Sequence, residues 1–160
     1  FALLRALHAL NIPAEAGPNS HLGGSKRLGS VCFELPSNYE IVLQGKKLIG
    51  SAQARRKNAM LQHGTLPLCG DLTRITQVLK YSDEQDRIDA ATRLLSHATS
   101  VESVLGMKIS RQDAIQAFIF GFQSELNIEF LPAELSEHEM KRAKKLVQDK
   151  YSHLSWLERI

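Results

Sequence analysis

Residues 38–68 contain three strand-like runs separated by short turns, and this pattern most constrains the fold. The run NYEIVLQ, residues 38–44, is followed across GKK by KLIGSAQAR, residues 47–55, so that β-branched and apolar residues flank a glycine-containing turn. The stretch NAMLQHGTLPL, residues 58–68, adds a further extended run. Such runs around glycine turns are typical of β-hairpins. The sequence therefore predicts a small antiparallel sheet.

One helix is predicted before this sheet and several after it. Residues 1–11 have an amphipathic helical pattern, whereas residues 13–30, rich in Pro, Gly, Ser and Asn, predict a long loop. From Asp71 onward the apolar residues follow a helical period, except that NIEFLPAE, residues 127–134, predicts a returning strand. A sheet early in the chain and helices late in it indicate a single α+β unit.

Several helix starts in the second half are predicted from N-cap residues. A Ser or Thr followed three residues later by Glu or Gln has the capping-box spacing, in which the two side chains satisfy the first free N–H groups of a helix. The predicted pairs are Ser82 with Gln85, Thr99 with Glu102, and Ser136 with Glu139. Ser110 begins a further helix, whose apolar stripe consists of Ala114, Ile115, Phe118, Phe122 and Leu126.

Composition and charge limit the class of protein. Of the 160 residues, 43% are hydrophobic and 23% are charged, which permits one sizeable core. The net charge of +3 favours acidic partners. The basic runs ARRK, residues 54–57, and KRAKK, residues 141–145, lack the interleaved aromatic residues of a nucleic-acid-binding surface. We therefore predict acidic protein partners and no nucleic acid, with solvated faces as the simplest interpretation of the basic runs.

The compartment is predicted from the two cysteines and from the absence of long apolar runs. Cys32 and Cys69 lie far apart and form no CxxC pair, which indicates a reducing, cytoplasmic environment. No apolar run approaches the roughly 18 residues of a membrane span, so we expect no membrane association. The six scattered histidines give no zinc-ligand spacing, so no metal is predicted. Because Phe1 opens directly in a helical pattern, we expect the chain to begin inside a larger fold.

Cys32 is the first candidate for chemistry. By itself it is either a small buried apolar residue or a nucleophile, and the former is the commoner case. A thiol with an ordinary pKa of about 8.5 is mostly protonated at neutral pH, so reactivity requires a nearby cation or helix N-terminus. Lys47 follows the predicted hairpin turn and is a candidate cation, although lysines at such turns are usually solvated.

Two small-residue steps in the predicted strands are candidates for ligand contact. Gly50 weakens a strand unless a backbone or a ligand must approach closely, and Ser51 and Ala52 continue this opening. His63 is either a structural histidine or a ligand contact, and Gly64 would let a ligand reach backbone N–H groups. A turn or bulge explains either step equally well.

Taken in order, these motifs resemble the lipoate/octanoate branch of the biotin/lipoate protein ligase superfamily. The shared pattern is a cysteine followed by Phe, then PS.YE, then GKK..GSAQ.R, and finally LQHG, all within residues 32–64. The flanking runs LLRALHALNIPAE, residues 3–15, and LSEHEMKRAKKLVQDKYSHLSWLERI, residues 135–160, also resemble this family. The cysteine makes the chain most similar to the cysteine-dependent, lipoate-protein ligase A-like octanoyltransferases.

The resemblance implies an α+β fold, the class-II-synthetase-like catalytic domain with a mixed sheet flanked by helices. Residues 1–160 would then form the C-terminal portion of a single catalytic domain that lacks its N-terminal part. The upstream Gly-rich and Arg-rich loop of the family has no match in this sequence.

The resemblance also implies a reaction and the residues that perform it. Cys32 would be the acyl-thioester nucleophile, and Lys47 would favour its thiolate and orient the acyl carbonyl. The acyl pocket would be lined by Gly50, Ser51, Ala52, His63 and Gly64. Octanoyl would pass from acyl carrier protein to a lysine of a lipoyl-domain protein, such as the glycine-cleavage H protein, without a cofactor.

Two alternatives remain open within the same superfamily. An ATP-dependent lipoate-protein ligase would use Lys47 on an acyl-adenylate and would require ATP and Mg²⁺ but no cysteine. A non-catalytic relative would bind lipoyl-domain proteins without transferring an acyl group. The presence of Cys32 favours acyl transfer over ligation, and the missing upstream loop favours the non-catalytic interpretation.

Overall fold

A computed structural model of the chain describes residues 1–17 and 40–158. The chain divides into two compact units, Phe1–Ile128 and Glu129–Ile160. In the first unit, helix α1 (Ala2–Ala9) precedes strands β1 (Glu15–Ala16), β2 (Ile41–Leu43), β3 (Lys46–Arg56) and β4 (Ala59–Thr65). A 3-10 helix (Leu72–Gln77) and helices α2 (Glu84–His97), α3 (Val101–Leu105) and α4 (Arg111–Leu126) follow. The second unit contains α5 (Glu137–Leu146), a π-helical turn (Val147–Tyr151) and α6 (Leu154–Leu157).

Within the described residues, four strands form one antiparallel sheet in the order β1-β2-β3-β4. The hairpin pattern predicted the antiparallel pairing of β2, β3 and β4, whereas β1 lies in the segment predicted as a loop. Gln44 and Gly45 connect β2 to β3 with φ angles of 51° and 74°. Two consecutive positive φ angles are the signature of the tight turn whose twist suits a hairpin. An isolated parallel bridge joins Lys47 to Ala98 and attaches the segment after α2 to the sheet.

The register of β2 on β3 contains a bulge beside Lys47. Val42 pairs with Lys47, but Ile41 pairs with Ile49. The extra residue in β3 interrupts the strict alternation of side chains, and such bulges commonly redirect a side chain near a functional site. Beyond Ile49, β3 pairs with β4 from Gly50 through Arg56 as a regular two-stranded ribbon.

The core of the first unit lies between α1, the strands β2 and β3, and α3. Its buried residues are Leu7, Ile12, Ala14, Ile41, Leu43, Leu48, Ile49 and Val101. Helix α1 also packs closely on α4 at Gly121, where an added Cβ would lie 2.5 Å from the carbonyl oxygen of Ala2. Only glycine permits this approach, which fixes α4 against α1.

The structure corrects two of the predicted helix caps by one residue. Asp83, not Ser82, caps α2, and its carboxylate accepts the Asp86 N–H at 2.8 Å. Ser100, not Thr99, caps α3, because the hydroxyl oxygen of Ser100 accepts the Ser103 N–H at 3.3 Å. The starts at Ser110 and at the Ser136 capping box are confirmed.

The predicted strand over residues 127–134 is wrong. Asn127 adopts a left-handed conformation with a φ of 50° and ends α4, and the residues after it are irregular. Pro132 lacks the N–H group that a central strand would need. The predicted loop over residues 13–30 lies mostly outside the described residues, and its first residues contain β1.

Candidate functional site

Lys47 and Glu40 form a buried ion pair at the start of the β2–β3 hairpin. The ammonium Nζ of Lys47 contacts the carboxylate Oε1 of Glu40, and each residue is only 8% exposed. An ammonium group loses its hydration on burial, so an opposite charge in direct contact is needed to keep it there. Lys47 is therefore an internal cation, not the solvated lysine that its position beside a turn would suggest.

Backbone contacts hold both partners of this pair. The Lys47 carbonyl accepts the Thr99 N–H, and the Glu40 carbonyl accepts the Gly17 N–H at 2.7 Å. The neighbouring Lys46 extends elsewhere, because its Nζ donates to the carbonyl of Leu95, near the C-terminus of α2, at 2.6 Å. The two adjacent lysines thus have different roles, one on the surface and one inside.

A large apolar cavity is lined in part by the same hairpin. Its volume is about 980 Å³, which falls within the range of small-molecule pockets. One wall is the α4 stripe predicted from the sequence, which consists of Ala114, Ile115, Phe118, Phe122 and Leu126. The other walls come from the sheet, from the chain after β4 and from the start of α1, and they include Ile41, Ile49, Leu66, Leu68, Leu3 and Leu4.

The ion pair and the cavity are adjacent along both strands of the hairpin. Glu40 immediately precedes Ile41, and Lys47 lies two residues before Ile49. Ile41 and Ile49 pair across the sheet, and both line the cavity. Neither Lys47 nor Glu40 itself lines the cavity, so the ion pair lies within two residues of the lining along the chain and is not part of the wall.

The predicted pocket residues divide between the two faces of the β3–β4 ribbon. Ser51 pairs with Gly64, and both line the cavity. Ala52 pairs with His63 one position further along, where the alternation of the strands places their side chains on the opposite face. Of the five predicted pocket residues, all of which are described, Gly50, Ala52 and His63 do not contribute to the cavity lining.

Cys32 lies outside the described residues, so the prediction of its role stays a prediction. No group of three or more His, Cys, Asp or Glu side chains within residues 1–17 and 40–158 could hold a metal ion. No helix in the same part of the chain is long and apolar enough to cross a bilayer.

The sequence patterns gave Glu40 no role and missed several residues of the cavity lining. Glu40 carried a usable signal, since it lies across a short hairpin from an oppositely charged residue and directly before a buried strand. Gln62 and Arg111 also line the cavity, and they are polar members of its apolar wall. Nothing in the local sequence distinguishes Arg111 from an ordinary exposed residue in the first turn of a helix.

Comparisons with known proteins agree on one family. The model of the lipoyl protein ligase A/B catalytic domain matches residues 2–123. The octanoyltransferase LipM of Bacillus anthracis is 34% identical over 126 residues, which are 79% of this chain and 45% of that protein. The octanoyltransferase LipM of Oceanobacillus iheyensis is 33% identical over 150 residues, which are 94% of this chain and 54% of that protein.

Solved structures show the same fold. A bipartite lipoate protein ligase from Thermoplasma acidophilum, described with its E2 lipoyl domain, superposes with a TM-score of 0.75 at 26% identity. The match covers 97% of this chain and 53% of that one. A lipoate-protein ligase A bound with ATP gives a TM-score of 0.70 at 26% identity, covering 97% of this chain and 54% of that one.

This chain spans about half the length of the curated relatives that it matches. The family model nevertheless covers most of the sequence, and the predicted α+β, lipoate-ligase-like fold is confirmed. The interpretation of residues 1–160 as part of one single catalytic domain stays a prediction. The chain belongs to the lipoyl protein ligase A/B catalytic domain family.

Proposed function

We propose that this chain carries the acyl-transfer residues of an octanoyltransferase, with Cys32 as nucleophile. The observation that carries the proposal is a buried cation, Lys47, on the same hairpin whose Ile41 and Ile49 line a large apolar cavity. Such a pairing suits a substrate with a long hydrocarbon tail and a polar carbonyl head. The octanoyltransferase names of the relatives give independent support.

In the first half-reaction, the Cys32 thiolate attacks the thioester carbonyl of octanoyl-acyl carrier protein. A carbon–sulfur bond forms to Cys32, and the bond to the sulfur of the carrier breaks. The proton given up by Cys32 ends on the thiol of the carrier, so one thioester replaces another without a cofactor.

In the second half-reaction, a neutral lysine amine of a lipoyl-domain protein, such as glycine-cleavage H protein, attacks the enzyme thioester. A carbon–nitrogen bond forms, the bond to the sulfur of Cys32 breaks, and a proton from the amine restores the thiol. The products are an octanoyl amide on the acceptor and free enzyme. The positive net charge suits both partners if they are acidic. We propose a cytoplasmic location because each catalytic cycle begins with Cys32 as a free thiol.

Lys47 has a role in both half-reactions. An ammonium group has three N–H donors, and one of them would donate to the carbonyl oxygen of the acyl group alongside the contact with Glu40. That oxygen becomes negative in each tetrahedral intermediate, and a donor already in place stabilises it. Ser51 and Gly64 would border the acyl chain in the cavity, whereas Gly50, Ala52 and His63 would support the ribbon from its other face.

The test is intact-mass analysis after incubation with octanoyl-acyl carrier protein. We expect one octanoyl adduct that hydroxylamine removes, because a thioester is cleaved by this reagent and an amide is not. Cys32→Ser should abolish the adduct. Cys69→Ser is the matched control, since Cys69 is a free, exposed cysteine and should not matter. An adduct that survives Cys32→Ser would contradict the assignment.

An ATP-dependent lipoate ligase is the second candidate, favoured by the likeness to a ligase structure bound with ATP. In that case lipoate or octanoate, ATP and Mg²⁺ should modify a lipoyl-domain protein, with release of AMP, and Cys32→Ser should remain active. Tight binding of a lipoyl domain with neither an adduct nor AMP release would instead indicate a non-catalytic relative.

A further inference from the structure

We propose that Glu40 is a positioning residue that fixes the Lys47 ammonium for its contact with the acyl carbonyl. The inference rests on the octanoyl transfer proposed above and assigns a role to a residue that the sequence motifs left without one. Its basis is the direct contact between Lys47 Nζ and Glu40 Oε1 inside the protein.

Burial makes this contact more consequential than a surface salt bridge. The side chains of Lys47 and Glu40 are only 9% and 7% exposed, so water cannot effectively screen the charge on either side chain. An exposed pair of this kind contributes little, because water and salt screen it. Removing the carboxylate would leave the buried ammonium without the compensating charge that it contacts here, which is costly inside a protein.

The backbone around the pair restricts where the carboxylate and the ammonium can go. Glu40 is held through its carbonyl by Gly17, where an added Cβ would lie only 3.3 Å from that same carbonyl oxygen. Lys47 is held through its carbonyl by Thr99, next to its bridge with Ala98. The two side chains therefore project from fixed points on β3 and just before β2.

Among the described residues, the side chain next to Lys47 in sequence and the histidine beside its bridge make their contacts elsewhere. Lys46 donates to the carbonyl of Leu95. His97 precedes the bridge residue Ala98, and its Nδ1 lies 2.8 Å from the carbonyl of Arg93. Within the described part of the chain, the ion pair that Lys47 makes is with Glu40.

The flexibility of lysine explains why positioning matters here. Its ammonium is carried on four rotatable methylene groups, and its three donors turn freely unless one of them is fixed. A carboxylate that accepts one N–H limits the directions available to the other two. A misplacement of about 1 Å at a reacting centre can reduce the rate about 10²-fold.

The test is a double-mutant cycle on the octanoylation of Cys32, with single-turnover rates measured on the intact protein over a range of donor concentrations. We expect Glu40→Gln to slow the saturated rate about 10- to 100-fold, with little change in the donor concentration for half-maximal rate. Lys47→Met should slow it about 10²- to 10³-fold, as expected on removal of an oxyanion donor. The double variant should be no slower than Lys47→Met alone, because Glu40 acts only through Lys47.

Two further variants separate positioning from general damage. Glu40→Asp keeps the charge on a shorter side chain and should recover part of the rate that is lost in Glu40→Gln. We expect this variant to retain part of the wild-type rate even if Glu40→Gln unfolds. Glu125→Gln is the matched control, because it removes the carboxylate of another ion pair, with Arg5, and should keep the wild-type rate. Thermal unfolding of each variant identifies any loss of the folded state.

The outcomes distinguish this inference from the proposed function. A wild-type rate in Glu40→Gln, losses that multiply in the double variant, or Glu40→Asp slower than Glu40→Gln would overturn the role of Glu40 alone. Wild-type protein that forms no hydroxylamine-sensitive adduct would overturn the proposed function and the role of Glu40 with it.

Discussion

At the scale of single residues, Gly64 is the position where the cavity can be narrowed with least damage. An added Cβ would lie 3.4 Å from the Gly50 carbonyl oxygen and from Ser51 Oγ, which is ordinary contact distance. A larger side chain would then extend into the cavity that Gly64 lines.

We expect Gly64→Val to reduce octanoylation of Cys32 about tenfold or more while leaving acetyl transfer nearly unchanged. The physical reason is lost volume for the end of the chain, at about 0.8 kcal/mol for each methylene no longer buried. Acylation rates with donors of different chain length provide the measurement. Ala54→Val, on the opposite face of the same ribbon, is the control, and equal losses for both acyl chains in Gly64→Val would contradict the prediction.

The residue scale also shows why motif spacing located the site only in part. The sequence brought Gly50, Ser51, Ala52, His63 and Gly64 together as one group. Strand pairing then divided them, because each successive residue of a β-strand points to the opposite face. The register Ser51 with Gly64 decides which of them border the cavity.

At the scale of elements, the packing of α1 on α4 depends on the absence of a side chain at Gly121. An added Cβ would lie 2.5 Å from the carbonyl oxygen of Ala2 and 2.9 Å from the backbone nitrogen of Ala6. Backbone atoms cannot move aside as a flexible side chain can, so the two helices would have to separate.

We expect Gly121→Ala to destabilise the protein by about 1–3 kcal/mol, the usual cost of overpacking, even though alanine favours helices. Equilibrium denaturant unfolding gives the free energy. The exposed position Gln116 on the same helix supplies the control, since Gln116→Ala should be nearly neutral. A stabilising effect of Gly121→Ala would show that the helices do not meet at this point.

The start of α5 should respond to acid. The pKa of Glu139 lies below its ordinary value of 4.5, because the Ser136 hydroxyl and then the Ser136 backbone N–H donate to the carboxylate. A carboxyl group whose pKa is lowered by folding stabilises the fold above its unfolded pKa. That stabilisation is lost as the pH falls through the lower, folded value.

We therefore expect the first turn of α5 to fray below about pH 4.5, and Glu139→Gln to remove this dependence. Amide chemical shifts of Ser136 and Glu139, followed against pH, give the measurement. Glu137→Gln, in the same first turn but outside the capping box, should keep the transition. The same transition in Glu139→Gln would assign it to another group.

At the scale of the whole molecule, the cavity is shared by elements far apart in sequence. Residues from the start of α1, from β2 to β4 and from α4 all contribute to its walls. Most of these side chains are apolar, so the cavity should select acyl groups mainly by the length of their hydrocarbon chain.

We expect kcat/KM for the acylation of Cys32 to fall about 15-fold for each two methylenes removed from the octanoyl chain. This factor corresponds to about 1.6 kcal/mol at about 0.8 kcal/mol per methylene. The same carrier protein loaded with octanoyl, hexanoyl and butanoyl groups gives the comparison without changing the protein contacts. Equal values for butanoyl and octanoyl donors would show that the cavity does not hold the chain.

The elements whose signals are local could be predicted from the amino-acid sequence alone. The turn at Gln44 and Gly45, the strands on either side, the helix after Ser110 and the capping box at Ser136 all follow from contacts within a few residues. The α4 stripe was equally visible, because its period depends only on helix geometry. The order of short motifs was sufficient to identify the family.

Which of these residues come into contact depends on how distant segments pack together. The β2–β3 bulge, the bridge from Lys47 to Ala98 and the close approach at Gly121 join segments whose spacing in the sequence carries no signal. Burial also changed the electrostatic environment of Lys47. This lysine lies beside a turn, but its ammonium is removed from water and forms an internal ion pair with Glu40. The free energy of a charge depends on its surroundings, and those surroundings exist only once distant parts of the chain have packed together.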